Sequence, residues 1–138
     1  MKLENQVCSL ELAKELKELG AEQDSLFYWW MDEIKIFKSF EFPPSGKEIH
    51  FTDGTWTNSL TNVFSDYTVA ELGEMLPSNL QYGSNFYLTF RKLACKKNMF
   101  TVGHMTDEDW KTHTEADTEA DARAKMLIYL KTNNLIKA

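Results

Sequence analysis

The sequence predicts an α+β domain in which an antiparallel sheet of four to five strands carries three helices, in the order α-β-β-(β)-α-β-β-α. Three observations predict it. Three segments place apolar residues at helical spacing behind residues that cap helices, two pairs of short segments alternate or concentrate aromatic side chains, and turn-forming residues separate the members of each pair. The 138 residues, 43% hydrophobic and 13% aromatic, match the size of one domain and supply enough apolar surface for a core, so the whole chain reads as a single unit.

The first helix opens at Ser9, whose side chain suits an N-cap, and carries Leu12, Ala13, Leu16 and Leu19 on one face until Gly20 stops it. Glu11, Lys14, Glu15, Lys17 and Glu18 occupy the other face. The run Leu26-Phe27-Tyr28-Trp29-Trp30-Met31 is short and aromatic, which favours a buried strand. Ile34, Ile36, Phe40 and Phe42 then alternate with Lys35, Ser39 and Glu41, interrupted at Phe37 and Lys38, and form a second strand with Asp32-Glu33 as the turn between the two. Pro43-Pro44-Ser45-Gly46 ends that strand, because neither proline can donate to a ladder. A brief strand follows at residues 48–52 and turns at Asp53-Gly54, and the polar stretch 53–66 reads as a long surface loop.

Thr68-Val69-Ala70-Glu71 fits a capping box, with Val69, Leu72 and Leu76 on one face of a short helix closed by Pro77. Residues 85–91 alternate cleanly, with Phe86, Leu88 and Phe90 opposite Tyr87, Thr89 and Arg91, and residues 99–103 repeat the pattern through Phe100 and Val102. Lys96-Lys97-Asn98 supplies the hairpin turn. After a polar segment at 106–117, Thr118 caps a third helix, where Glu119 and Asp121 complement the positive end of the macrodipole. Its apolar stripe is Ala120, Ala124, Leu127 and Ile128, widened by Met126 and Leu130, and Asn133-Asn134 end it.

A net charge of -6 and a pI near 5.1 work against nonspecific attraction to nucleic acid, which would need a local basic patch. The two cysteines, Cys8 and Cys95, match neither a disulfide framework nor a zinc or C-x-x-C motif and read as reduced thiols. The first six residues contain no apolar h-region, and no apolar run approaches the roughly 20 residues that span a bilayer. The expectation is a protein of the cytoplasm with no membrane partner.

The strongest-looking metal constellation is His104, Asp107, Glu108, Asp109 and His113, with His50 as a distant partner, but no H-x-x-x-H, H-E-x-x-H or EF-hand spacing is present and a solvated turn explains the acids. Whether residues 104–113 hold an ion stays open at this point. Neither cysteine sits in a catalytic setting, no G-x-S-x-G elbow occurs, and no glycine-rich phosphate loop is found. The sequence therefore predicts a non-enzymatic protein with no catalytic, cofactor or metal site.

Two surfaces are candidates for interaction. The strand Phe27 to Trp30 offers Tyr28 and Trp30 as a stacking platform, although Asp24, Asp32 and Glu33 beside it repel phosphates and a half-exposed core strand explains it as well. Arg91, Lys92, Lys96 and Lys97 cluster around Cys95, either as a solvated turn that discourages edge pairing or as a nucleic-acid contact. Three further segments, QVCSLELAKELKELG at 6–20, YTVAELGEMLP at 67–77 and EADARAKMLIYL at 119–130, resemble the three helices of small, uncharacterised proteins encoded by phages and prophages of gut bacteria. The resemblance lies in scaffold elements, so it implies a setting, the host cytoplasm, and no chemistry. The expected function is that of an accessory protein that binds another macromolecule, a host or phage protein. The alternative is a nucleic-acid-binding module built on residues 91–97 and the aromatic strand. Oligomeric state is left open.

Overall fold

The computed structural model describes residues 3–77, 79–81, 85–93, 99–105 and 110–133. Its elements follow from local signals in the chain. Helix α1 (Leu10–Glu18) begins behind Ser9 in extended backbone, buries Ala13 and Leu16, and ends where Gly20 takes φ 88°, a conformation that side chains disfavour. Helix α2 (Val69–Met75) starts with the full capping box: Thr68 Oγ1 accepts from the Glu71 N–H at 3.2 Å while Glu71 Oε1 accepts from the Thr68 N–H at 2.9 Å. Helix α3 (Glu119–Thr132) is capped by Thr118, whose hydroxyl accepts from the Asp121 N–H at 3.2 Å.

The described residues form nine strands: β1 (Phe27–Trp30), β2 (Glu33–Glu41), β3 (Glu48–Phe51), β4 (Trp56–Thr57), β5 (Phe64–Ser65), β6 (Asn79–Gln81), β7 (Asn85–Leu93), β8 (Met99–Met105) and β9 (Trp110–Ala116). They form two antiparallel sheets, one of five strands in the order β4-β3-β2-β1-β5 and one of four in the order β6-β7-β8-β9. The class is α+β with three helices, and the strands divide between two sheets instead of one. Two further differences have simple causes. The β1–β2 turn is Met31-Asp32, with φ 51° and 59°, so Glu33 already pairs with Trp30 and the turn sits one residue earlier than composition suggests. The polar segments at 53–66 and 106–117 contain β4, β5 and β9, because strand pairing recruits short or polar runs that lack a hydrophobic period.

Helix α3 packs against β8 and β9 and against both other helices, which accounts for its burial on more than one face through Ala120, Ala122, Ala124, Met126, Leu127 and Leu130. These residues join Leu16, Tyr67 and Leu72 in the larger core. A smaller core, built from Tyr28, Ile49, Phe51 and Val63, fills the inner face of the five-stranded sheet. The register of β2 slips between Phe37 and Ser39, and this bulge brings Phe37 and Phe40 onto the same inner face opposite Phe51 and Ile49. The break in alternation at Phe37 and Lys38 is thus a structural device.

Candidate functional site

Two places in the molecule combine unusual chemistry with definite geometry. One is the five-stranded sheet, whose two faces differ. The inner face is aromatic: Trp30 stacks on Phe51 at 5.6 Å, Tyr28 lies 5.7 Å from Phe37, and Phe37 lies 4.9 Å from Phe40. Residues 60–63 close over it, held by Lys17 Nζ, which donates to the carbonyls of Leu60 at 2.6 Å and Val63 at 2.8 Å. The outer face changes character along its width. At the β1–β5 end, Trp29 and Phe64 pack against the helical core. At the other end Ile36 and Trp56 remain 50% and 49% exposed, with Trp56 stacked on His50 at 5.7 Å. At the boundary lies a groove of about 540 Å³ whose floor includes Trp29, Ile34 and Ile36. Lys35 beside it binds Asp53 at 2.7 Å and Glu33 at 3.1 Å, and these hydrogen bonds hold the amine above its ordinary pKa and the Asp53 carboxyl below its own.

The other place is the junction where three helices begin. Val7 and Thr68 form an isolated antiparallel bridge, with the Cys8 N–H donating to the Tyr67 carbonyl and the Val69 N–H donating to that of Gln6, so α1 and α2 start side by side. Asp121 from the first turn of α3 accepts from the Ser9 N–H at 2.7 Å. Within this junction Asp66 is completely buried, and the Cys8 thiol donates to its Oδ1 at 3.6 Å. Ser25 links the neighbouring groups: its hydroxyl lies 2.8 Å from Glu71 Oε1 and 3.1 Å from the Asp66 carbonyl and shares its one proton between these two acceptors. Burial pushes the Asp66 carboxyl up to about 7; the Cys8 and Trp29 donors offset part of that, while Asp121 and Glu71 add to it. Burial also raises Asp121 and, with Asp66 beside it, pushes the Cys8 thiol well above its ordinary range. A thiol held protonated in this way is a poor nucleophile. The junction binds a proton and offers no thiolate.

Tyr28, expected on a half-exposed surface, is 2% exposed because the inner face of the sheet closes around its ring and its hydroxyl donates to the Gln23 carbonyl at 2.9 Å. Trp30 is half-buried against Phe51, with the Lys35 amine 5.9 Å from its ring. Arg91 and Lys92 fall on β7 opposite Thr101 and Phe100, in the other sheet from the aromatic strand, and Lys96 and Lys97 lie outside the described residues. The two candidate surfaces therefore belong to different sheets. His50 sits on β3, whereas His104 and His113 occupy the neighbouring strands β8 and β9; Asp107, Glu108 and Asp109 lie outside the described residues, as does Cys95. Among the described residues, no group of three or more His, Cys, Asp or Glu is arranged to hold a metal ion, and no helix is long and apolar enough to cross a membrane. Ile36, Trp56 and Asp66 stand out only in three dimensions, since each sits in a segment that looks ordinary in sequence. Comparison with protein-family models, curated proteins and solved structures finds no match.

Proposed function

We propose that this chain is a non-catalytic accessory protein, of the phage type that its helical segments resemble, which acts in the cytoplasm by binding another protein through the outer face of the five-stranded sheet. One observation carries the reading. Among the residues whose side-chain exposure is described (Leu3, 5–77 and 114–133), Ile36 and Trp56 stand half exposed on the outer face of this sheet, and Ile36 lines the groove that Leu3 also lines. Single exposed hydrophobics are ordinary, but two of them at the uncovered end of one sheet face, next to a groove, suit a contact surface. The buried, raised thiol of Cys8 supports a role other than nucleophilic catalysis.

The test is quantitative affinity capture from lysates of the source cells, with and without phage induction, comparing wild type with the Ile36→Ser/Trp56→Ser double variant. Both positions are half exposed, so the variant should fold with an unchanged circular dichroism spectrum. The reading expects a protein enriched by wild type and depleted by the variant. Equal capture profiles from the two would overturn it.

A further inference from the structure

Asp66 is fully buried, and its Oδ2 has no hydrogen-bond partner among the described residues. Its Oδ1 receives the Cys8 thiol, a weak donor, at 3.6 Å. The Trp29 indole, which also faces the carboxyl, donates to the Cys8 carbonyl at 3.1 Å. Among the described residues no ion pair involves Asp66. Glu71 faces it from α2 and Asp121 from α3, both acidic, while Arg123 of α3 is directed to the Val69 carbonyl at 3.0 Å and to Glu119 at 3.3 Å. Lys125 acts on Asp121 and donates to the Glu115 carbonyl. A carboxyl so enclosed is stable as the neutral acid; ionised, it requires water or donors that the closed junction does not offer.

What yields on ionisation depends on how each neighbour is held. Asp66 itself is fixed to β1, its N–H donating to the Phe27 carbonyl at 2.8 Å. Helices α2 and α3 and strand β1 are tied into the larger core through Leu72, Leu127 and Trp29. Residues 3–8 are held less firmly. Of their described side chains Val7 and Cys8 are buried, while Leu3, Asn5 and Gln6 are exposed, and the segment pairs through the isolated bridge of Val7 with Thr68. Beyond Ser9 the chain is anchored again by Ala13 and Leu16 of α1. Segments with few buried contacts open first. We infer that residues 3–8 form a proton-latched strap, seated over the carboxyl while Asp66 is neutral and opening about Ser9 when Asp66 ionises. Opening admits water to Asp66 and Cys8, parts the Trp29 indole from the Cys8 carbonyl, and withdraws Leu3 from the groove that it lines with Trp29 and Ile36. Because the carboxyl is raised from 3.8 to about 7 in the closed state, closure weakens as pH rises through that interval and is weakest above it. The device does not depend on the open sheet face being a binding surface.

The experiment follows amide hydrogen exchange of the full chain by NMR at pH 5, 6 and 7, with and without sub-denaturing urea, each rate divided by its intrinsic value. The reporters are the N–H groups of Cys8 and Val69, which donate across the bridge at 3.1 Å, and the references are those of Phe51 and Ala122. Opening at the reporters should exceed that at the references, be nearly insensitive to urea, and grow about tenfold or more from pH 5 to pH 7. Asp66→Asn should hold the reporters at a nearly constant opening over the same range. The inference is overturned if reporters and references share one opening with one urea dependence, since the proton then acts through global unfolding alone. It is equally overturned if the local opening is independent of pH in the wild type, or if Asp66→Asn keeps the wild-type pH dependence. Should that variant fail to fold, the wild-type comparison decides. No partner enters the measurement, so its outcome is separate from that of affinity capture.

Discussion

The two cores formed by the described side chains are built on different principles. The helical core is made mostly of small and aliphatic residues, with Tyr67 among them, and encloses titratable groups, with Asp66 fully buried at the point where α1, α2 and α3 begin. The core of the five-stranded sheet is aromatic, and the charges near it, Lys35, Glu33 and Asp53, lie at the surface. A buried carboxylate makes one region sensitive to protons, whereas a stacked aromatic cluster makes the other sensitive to lost volume. The division also separates tasks: the helical core fastens three chain segments together, while the sheet keeps one end of its outer face uncovered.

The contrast breaks most visibly on removing an aromatic ring. Phe51 is 1% exposed and contacts Tyr28 at 6.3 Å and Trp30 at 5.6 Å between ring centroids. Phe51→Ala should cost about 3–5 kcal/mol, since it deletes a large buried side chain from a cluster that cannot collapse around the gap. Chemical denaturation at pH 5 and pH 8 should show nearly the same loss, because Tyr28, the titratable group in the deleted contact, is held above its ordinary pKa of 10.0 by burial and stays protonated at both. A loss that changed strongly between the two pH values would mean that the two cores are coupled.

Asp66 sharpens the same contrast from the other side. Its folded pKa is raised from 3.8 to about 7, so the folded state holds a proton that the unfolded chain releases between those values. The corresponding stability is fully present below about pH 3.8, declines as pH rises through the interval, and is gone above about pH 7. A difference of about three units corresponds to at most on the order of 4 kcal/mol. Asp66→Asn removes the ionisation while keeping the shape. Its stability relative to wild type should rise steadily from pH 4 to pH 7 and then level off, reaching on the order of 2 kcal/mol after allowance for imperfect hydrogen bonding of the amide. Asp121, also raised by burial, retains a slope of the same sign in both proteins. Parallel pH profiles for the two would show that Asp66 does not titrate in this range.

How much of this was legible in the sequence follows the same division between local and non-local physics. The capping box at Thr68 and Glu71, the stop at Gly20 and the interrupted alternation at Phe37 and Lys38 are local patterns, and each corresponds to a feature of the structure. The turn at Met31-Asp32 was harder to place because positive φ favours Gly or Asn, and Met at the first position signals nothing. Strands β4 and β5 are two residues long, too short for any period, and β9 is formed largely from polar residues. The groove and the Asp66 junction were illegible for a further reason. Asp66 ends a polar stretch that resembles a loop, and its burial depends on Cys8, 58 positions away, and on Asp121 from a helix later in the chain. Ile36 reads as one more alternating apolar residue, and only the limited reach of the helical layer leaves it open.

The smallest effect is expected from the charges that flank the aromatic core. Glu33 contacts Lys35 at 3.1 Å, but its side chain is 70% exposed, so solvent screens the pair and Lys35 keeps Asp53 as a partner when Glu33 is changed. Glu33→Gln should therefore leave the denaturation midpoint within the scatter of ordinary surface substitutions, at low and at high salt alike. The hairpin register does not depend on it either, since the turn at Met31-Asp32 and the backbone pairing of Trp30 with Glu33 involve no side-chain charge. A clear destabilisation would mean that the Glu33–Lys35–Asp53 cluster holds the hairpin together, and that its charge belongs to folding. An unchanged midpoint would show that this region is held by aromatic packing and backbone pairing and not by the charges beside them.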